Sequence, residues 1–201
     1  MLFEMAPWVK EVMLISKELN NGYFLRERSG WIKRGIKDVE SIYEHSCKVG
    51  LASGYLFGTS EAVAQGVVHD FPEIFAEDYM PGEVDLNVKR KNEIETMKKL
   101  KDILPYGDYW LNTWLNFENK IGIGKQINEL DKICPVIQAK NYLKENNGLN
   151  LEEFYPYARS KLETLSLIKS LDDLWHMEIP ENKNAYEVYF EELKNIQINI
   201  Y

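Results

Sequence analysis

Apolar residues recur at three- and four-residue intervals along most of the chain, and no stretch shows the convincing period-two alternation that is typical of a strand. This pattern predicts a succession of helices, and therefore an all-α fold. The predicted helices cover about 8–19, 40–57, 60–70, 89–104, 109–117, 125–144, 151–170 and 185–196. The polar, basic segment 26–35 is predicted to be a loop.

Two prolines bear on the course of these helices. Pro72 lacks a backbone N–H donor, so the helix that reaches Asp70 is expected to kink or restart there. Pro135 lies inside the helix predicted over 125–144, where it can kink the helix and shift Asp131.

The length of 201 residues suits one domain with a full core. We therefore predict a single domain over 1–201, with a core of about 25–145 and C-terminal helices over 151–201 packing on it. No apolar stretch approaches the ~20 residues needed to cross a bilayer. The first residues lack the basic and apolar regions of a signal peptide. A cytoplasmic location without membrane contact is expected.

The net charge of −8 argues against sequence-independent binding to a nucleic-acid backbone. It leaves room for a small phosphorylated substrate that a local basic patch holds. The two cysteines, Cys47 and Cys134, are expected to be reduced and buried, because no secretory signal or CxxC pair accompanies them.

The pair His69-Asp70 ends the apolar run 62–68. An imidazole and a carboxylate at the end of a buried segment are costly to desolvate, unless both face one divalent cation. His45 shares a helix face with apolar residues, and alone it indicates a core histidine satisfied by one hydrogen bond. Asp131 lies at the edge of an apolar stripe, and alone it indicates a salt bridge.

Together these four groups supply two imidazoles and two carboxylates, enough to hold one divalent ion with positions open for water and substrate. Imidazole suits Mn, Fe, Co, Ni or Zn, and the carboxylates admit Mg, so the ligand types do not choose the metal. The proposed ligands are His45, His69, Asp70 and Asp131.

The same ordered residues resemble the HD-domain metal-dependent phosphohydrolases. Further motifs resemble the 5'-deoxynucleotidase branch of that superfamily: Arg28-Ser29-Gly30-Trp31, Glu40-Ser41-Ile42-Tyr43-Glu44-His45-Ser46, His69-Asp70-Phe71-Pro72-Glu73, Leu130-Asp131-Lys132 and Gln138-Ala139-Lys140-Asn141-Tyr142. The similarity covers roughly residues 8–165. It implies a single-domain HD-type helical bundle with a central metal site and a homodimer. The implied reaction removes the 5'-phosphate from a (deoxy)ribonucleoside monophosphate.

The resemblance also implies roles for two acidic residues. Glu73 would orient the attacking water or take its proton, and Asp78 would lie near the sugar or leaving group. The alternatives are a solvated side chain or a partner of a ligand histidine for Glu73, and a turn carboxylate for Asp78.

Segment 26–37 concentrates positive charge within an acidic protein. Arginine suits bidentate phosphate recognition, so Arg28 is the first choice for a phosphate contact and Arg34 the second. The alternative is a solvated basic loop. Trp31 either packs against the sugar or base, or anchors the loop in the core.

Other functions on the same scaffold stay open. They are a phosphodiesterase, a nucleoside-triphosphate hydrolase, a diiron oxygenase, and a metal- or nucleotide-binding regulator without catalysis. The aromatic segment 105–124 matches nothing in the family and could cap the pocket, altering the size of the substrate.

Overall fold

The computed structural model describes residues 23–76, 79, 82–146 and 148–194. The predicted helix over 8–19, Asp78 and the end of the predicted helix over 185–196 lie outside the described residues. Within them the only β-type pairing is an isolated bridge between Glu27 and Ser41. The all-α prediction is confirmed. Among the helices described, none is long and apolar enough to span a membrane.

The described helices are, in chain order, α1 (Ser29–Ile32), α2 (Ile42–Phe57), α3 (Ser60–Val68), α4 (Leu86–Ile103), α5 (Gly107–Glu118), α6 (Gly124–Glu145), α7 (Phe154–Arg159), α8 (Leu165–His176) and α9 (Ala185–Leu193). A short 3-10 helix, Phe71–Ile74, follows α3. Helices α2 to α6 match the predicted bounds to within a few residues.

Two sequence predictions need correction. The basic segment 26–35 is not wholly a loop, since it contains α1 and buries Trp31. The helix predicted over 151–170 is broken into α7 and α8. The break has a specific cause: the backbone N–H groups of Glu163 and Thr164 both donate to the buried carboxylate of Glu129, each at 3.2 Å, instead of continuing a helix.

The described residues fall into two compact units. The first unit includes those up to Glu44 and those of Val68–Trp114. In it α4 packs against the 3-10 helix. The ring of Tyr23 meets those of Tyr43 and Phe71 edge-on, with centroids 5.7 and 5.3 Å apart. This aromatic contact fixes the start of the 3-10 helix.

The second unit includes His45–Val67 and the residues from Leu115 onward. Its centre is α6, which contacts α7, α8 and α9. The Nζ of Lys140 on α6 donates to the carbonyls of Trp175 and Met177, at 2.9 and 2.7 Å, and so satisfies the C-terminal end of α8. The C-terminal helices therefore pack on α6, while the single-domain organisation over 1–201 stays a prediction.

Pro135 leaves α6 continuous from Gly124 to Glu145. Because proline has no N–H, it cannot donate to the carbonyl of Asp131 four residues earlier. The side chain of Asp131 nevertheless lies beside His45, so the proline does not displace it. No disulfide joins the two cysteines; Cys134 is buried as predicted, whereas Cys47 is only partly buried.

Helices α2 and α3 approach each other at glycine positions. A Cβ built on Gly66 would lie 2.7 Å from the Cα and 2.8 Å from the nitrogen of Gly50. No side chain fits in that space, so glycine is needed there for packing. The contact fixes α3, whose last residue, Val68, leads directly into His69.

We expect Gly66→Ala to lower the free energy of unfolding by about 1–3 kcal/mol, because the added methyl group must push two backbones apart. Urea titration followed by circular dichroism measures this. Gly148→Ala is the matched control, since its Cβ would meet only the Oδ1 of Asn146, at 3.3 Å. Equal unfolding free energies for the two variants would contradict the close packing.

Candidate active site

His45 and Asp131 form a buried pair. His45 lies in the first turns of α2 and is fully buried, and Asp131 on α6 is 9% exposed. The Nε2 of His45 is 2.9 Å from the Oδ1 of Asp131, whose Oδ2 accepts a hydrogen bond from Lys132. Two polar groups are thus held together where little solvent reaches them, as expected for ligands of one cation.

His69 and Asp70 lie at the turn after α3. The Nε2 of His69 is 3.1 Å from the Oδ2 of Asp70, and His69 is 5% exposed. Asp70 leaves the helical conformation, with φ −98° and ψ 11°, and Pro72 lies at the start of the 3-10 helix that follows. The predicted restart at Pro72 is confirmed, and it turns the chain immediately after the two residues.

Three of the four proposed ligands come together. His45, His69 and Asp131 each offer one ligand atom, and these atoms lie within 4.8 Å of one another. Asp70 is not part of this three-residue group, although its carboxylate touches His69. The group could therefore hold a divalent ion.

Glu73 lies in the 3-10 helix and is 8% exposed. Its backbone N–H donates to the carbonyl of Asp70 at 2.9 Å. The guanidinium of Arg26 donates to the carbonyls of Glu73 and Ala76, at 2.6 and 2.5 Å. Arg26 therefore binds backbone carbonyls at the C-terminal end of the 3-10 helix and holds the backbone of Glu73 in place.

Lys89 on α4 adds a cation that sequence reasoning missed. Its Nζ is 3.4 Å from the Oε1 of Glu93. Burial lowers the pKa of Lys89, but the carboxylates of Glu93, Glu73 and Asp70 outweigh burial and raise it above its ordinary value. The ammonium group therefore stays charged beside these acids. In the sequence, Lys89 and Glu93 have the spacing of an ordinary surface pair, which gives no signal of this role.

The proposed substrate residues of the basic segment differ in their surroundings. The side chain of Arg28 is 20% exposed, and its Nη1 lies 3.5 Å from the Oε1 of Glu40. Trp31 is 2% exposed and donates from Nε1 to the same Oε1 at 3.0 Å, which favours its role as an anchor. Arg34 donates to the carbonyl of Gly30 at 2.7 Å, within its own loop.

The aromatic segment 105–124 contains α5, and two of its five rings are buried in the core. Trp114 and Phe117 are buried, at 0% and 3% exposed. The ring of Trp110 has its centroid 6.2 Å from that of Phe71, in the 3-10 helix that carries Glu73. This part of α5 therefore supports the turn that holds Glu73.

A family model described as HD domain matches residues 25–169, more than half of the chain. The chain belongs to the HD domain family. Curated relatives that the chain matches carry the name 5'-deoxynucleotidase. The chain is 25% identical to YGK1 of Saccharomyces cerevisiae over 181 residues, which cover 84% of this chain and 80% of that protein.

HDDC2 of Danio rerio is 28% identical over 158 residues, covering 73% of this chain and 79% of that protein. HDDC2 of Homo sapiens is 23% identical over 157 residues, covering 73% of this chain and 76% of that protein. The predicted resemblance to the HD superfamily and to its 5'-deoxynucleotidase branch is thereby confirmed.

We expect Asp131→Ala and His69→Ala to weaken divalent metal binding by more than ~100-fold. The reason is that loss of a ligand costs more than loss of a ligand's partner, which already costs 10–100-fold. Elemental analysis of protein loaded with Mn and then dialysed measures the effect. His176→Ala is the control, because His176 ends α8 and packs against the ring of Tyr155. Full metal content in Asp131→Ala would overturn the site.

Proposed function

We propose that this protein is a metal-dependent phosphohydrolase that removes the 5'-phosphate from (deoxy)ribonucleoside monophosphates. The observation that carries the proposal is the group of His45, His69 and Asp131, with ligand atoms within 4.8 Å of one another. Its support is membership of the HD domain family and relatives that are named 5'-deoxynucleotidases.

In this proposal His45, His69, Asp70 and Asp131 hold one divalent ion. Imidazoles and carboxylates are the donor types that Mn, Co, Ni, Zn, Fe or Mg accept. When bound, such an ion supplies Lewis-acid chemistry toward a water and a phosphoryl oxygen. Lys132, hydrogen-bonded to the second carboxylate oxygen of Asp131, helps to fix the orientation of that ligand.

The protein's own groups carry the remaining steps. Glu73 takes a proton from the attacking water, whose oxygen forms a bond to phosphorus as the bond from phosphorus to the 5'-oxygen breaks. The proton that Glu73 takes balances the one that the departing 5'-oxygen gains, and Asp78 is proposed to position the sugar end of the substrate. The products are a nucleoside and inorganic phosphate.

Cationic groups offset the charge of the substrate. A phosphomonoester brings close to two negative charges to a site that already contains carboxylates. Arg28, partly exposed, suits a bidentate contact with phosphate, and Arg34 is the second candidate. Lys89 stays charged beside Glu73 and Asp70 and reduces the repulsion that these acids exert on the substrate.

We also propose the substrate preference, the location and the oligomeric state of the enzyme. The substrate is a nucleoside monophosphate with 2'-deoxyribose preferred, and the enzyme acts in the cytoplasm as a homodimer, without stable binding to nucleic acid. These features follow from the resemblance and from the net charge of −8.

A phosphate-release screen tests the reaction and the substrate together. Deoxyribonucleoside 5'-monophosphates should be hydrolysed at least ~10-fold faster than ribonucleotides in the presence of Mn, Co, Ni, Zn or Mg. A chelator should abolish release, and added metal should restore it. Equal rates on both sugars would overturn the sugar preference alone. Nucleotide binding without release under every metal would indicate a regulator and overturn the enzyme.

Glu73→Gln should lower kcat by about 10²–10⁴, because the amide cannot accept the proton of the attacking water. Metal content should stay at the wild-type value, since Glu73 is not a proposed ligand. Glu95→Gln, an exposed change on α4, is the matched control and should keep the wild-type kcat. Wild-type turnover by Glu73→Gln would exclude Glu73 as the base.

A further inference from the structure

Glu40 is a buried carboxylate just before α2. The residue is 5% exposed and its side chain 2% exposed. Its Oε1 accepts the hydrogen bond from the Nε1 of Trp31 at 3.0 Å, and the Nη1 of Arg28 lies 3.5 Å from the same atom. One oxygen therefore contacts both a buried indole and a partly exposed guanidinium.

The backbone holds the same residues in register. The N–H of Arg28 donates to the carbonyl of Glu40 at 3.2 Å, and the N–H of Ile42 donates to the carbonyl of Arg26 at 2.9 Å. Between them Glu27 and Ser41 form an antiparallel bridge. Arg28 is thus tied to Glu40 through the main chain and through the side chain.

Trp31 gives this arrangement a rigid base. Its ring is among the largest fully buried side chains, so the indole N–H has a fixed direction and fixes the carboxylate of Glu40 in turn. Arg28 keeps 20% of its side chain exposed. A guanidinium is planar, so a contact at one nitrogen restricts the directions in which its other donors can lie.

Stability alone is a weak explanation for a carboxylate in this place. A buried ion pair adds little net stability compared with apolar residues of similar volume. A buried acid beneath a partly exposed arginine does, however, restrict the directions in which the arginine can bind an anion.

We propose that Glu40 is a positioning residue, which orients the guanidinium of Arg28 for the phosphate of the substrate. This inference rests on the proposed function, because it assigns Glu40 to the phosphate end of that site. Trp31 contributes indirectly, because its buried indole N–H fixes the carboxylate of Glu40.

The test compares Glu40→Gln with wild type. The isosteric amide keeps an oxygen for the indole and loses the charge that holds Arg28. The KM for a deoxynucleoside 5'-monophosphate and the Ki of inorganic phosphate should both rise about tenfold, the loss expected when a charge-assisted contact is weakened. The kcat and the metal content should change less than ~threefold, and Glu95→Gln should match wild type throughout.

A double-variant cycle separates positioning from a structural role. In an Arg28→Met background, Glu40→Gln should leave the Ki of phosphate unchanged, since its effect passes through Arg28. A lower melting temperature with unchanged KM and Ki would show a structural role and overturn the inference. If Glu40→Gln does not fold, Trp31→Phe removes the indole donor together with part of a buried ring, and the Ki of phosphate should rise in the same direction by a smaller factor. An unchanged Ki there would also overturn the inference.

The affinity of the metal-loaded protein for inorganic phosphate can be measured by calorimetry without any turnover. This measurement distinguishes a failure of the inference about Glu40 from a failure of the proposed function. If wild type hydrolyses no nucleotide, the proposed function fails, and the binding measurement still decides the role of Glu40. Phosphate binding about tenfold weaker in Glu40→Gln than in wild type supports positioning. Equal binding, or no binding by wild type, contradicts it.

Discussion

The buried contact between His45 and Asp131 constrains the surrounding helices. An imidazole and a carboxylate, 2.9 Å apart and largely buried, must be satisfied by each other, by neighbouring donors or by a cation. Their placement needs α6 to stay continuous through Pro135. It also needs α2 to lie in one orientation, which the close approach of Gly50 and Gly66 supports by seating α3 against it. Because His69 directly follows α3 in the chain, the same packing helps to set the position of the second histidine.

Negative charge is the second constraint on the site. Asp70 immediately precedes the 3-10 helix and Glu73 lies within it. The charge of a phosphomonoester would add to the negative charge of these two carboxylates. Three cations offset this negative charge, and each forms an ion pair with an acidic side chain. Lys89 pairs with Glu93, Lys132 with Asp131 and Arg28 with Glu40. Each cation is held by an acid, so its direction is set before a substrate arrives. Such preorganisation avoids the cost of ordering flexible side chains during binding.

Hydrophobic periodicity predicted α2 to α6 and placed His45 on a buried face and Asp131 at the edge of one, because burial of one helix face follows directly from local spacing. The break between α7 and α8 was not predictable in this way. It depends on Glu129, more than thirty residues earlier, whose carboxylate takes two backbone N–H groups. The contacts of Glu40, Arg26 and Lys89 were missed for the same reason: each depends on tertiary proximity. Trp31 was predicted with two alternatives, and its burial favours the anchor.

The basic segment is therefore not one patch with one role. Arg26 and Arg28 are two residues apart on an extended stretch, where alternate side chains point the same way. Arg26 holds the carbonyl of Glu73, while Arg28 pairs with Glu40, and Lys33 pairs with Glu83 at the surface. The backbone that positions the proposed base and the side chain that would bind phosphate thus belong to one short segment. A displacement of residues 26–28 would disturb both functions together, even though none of the three residues is a metal ligand.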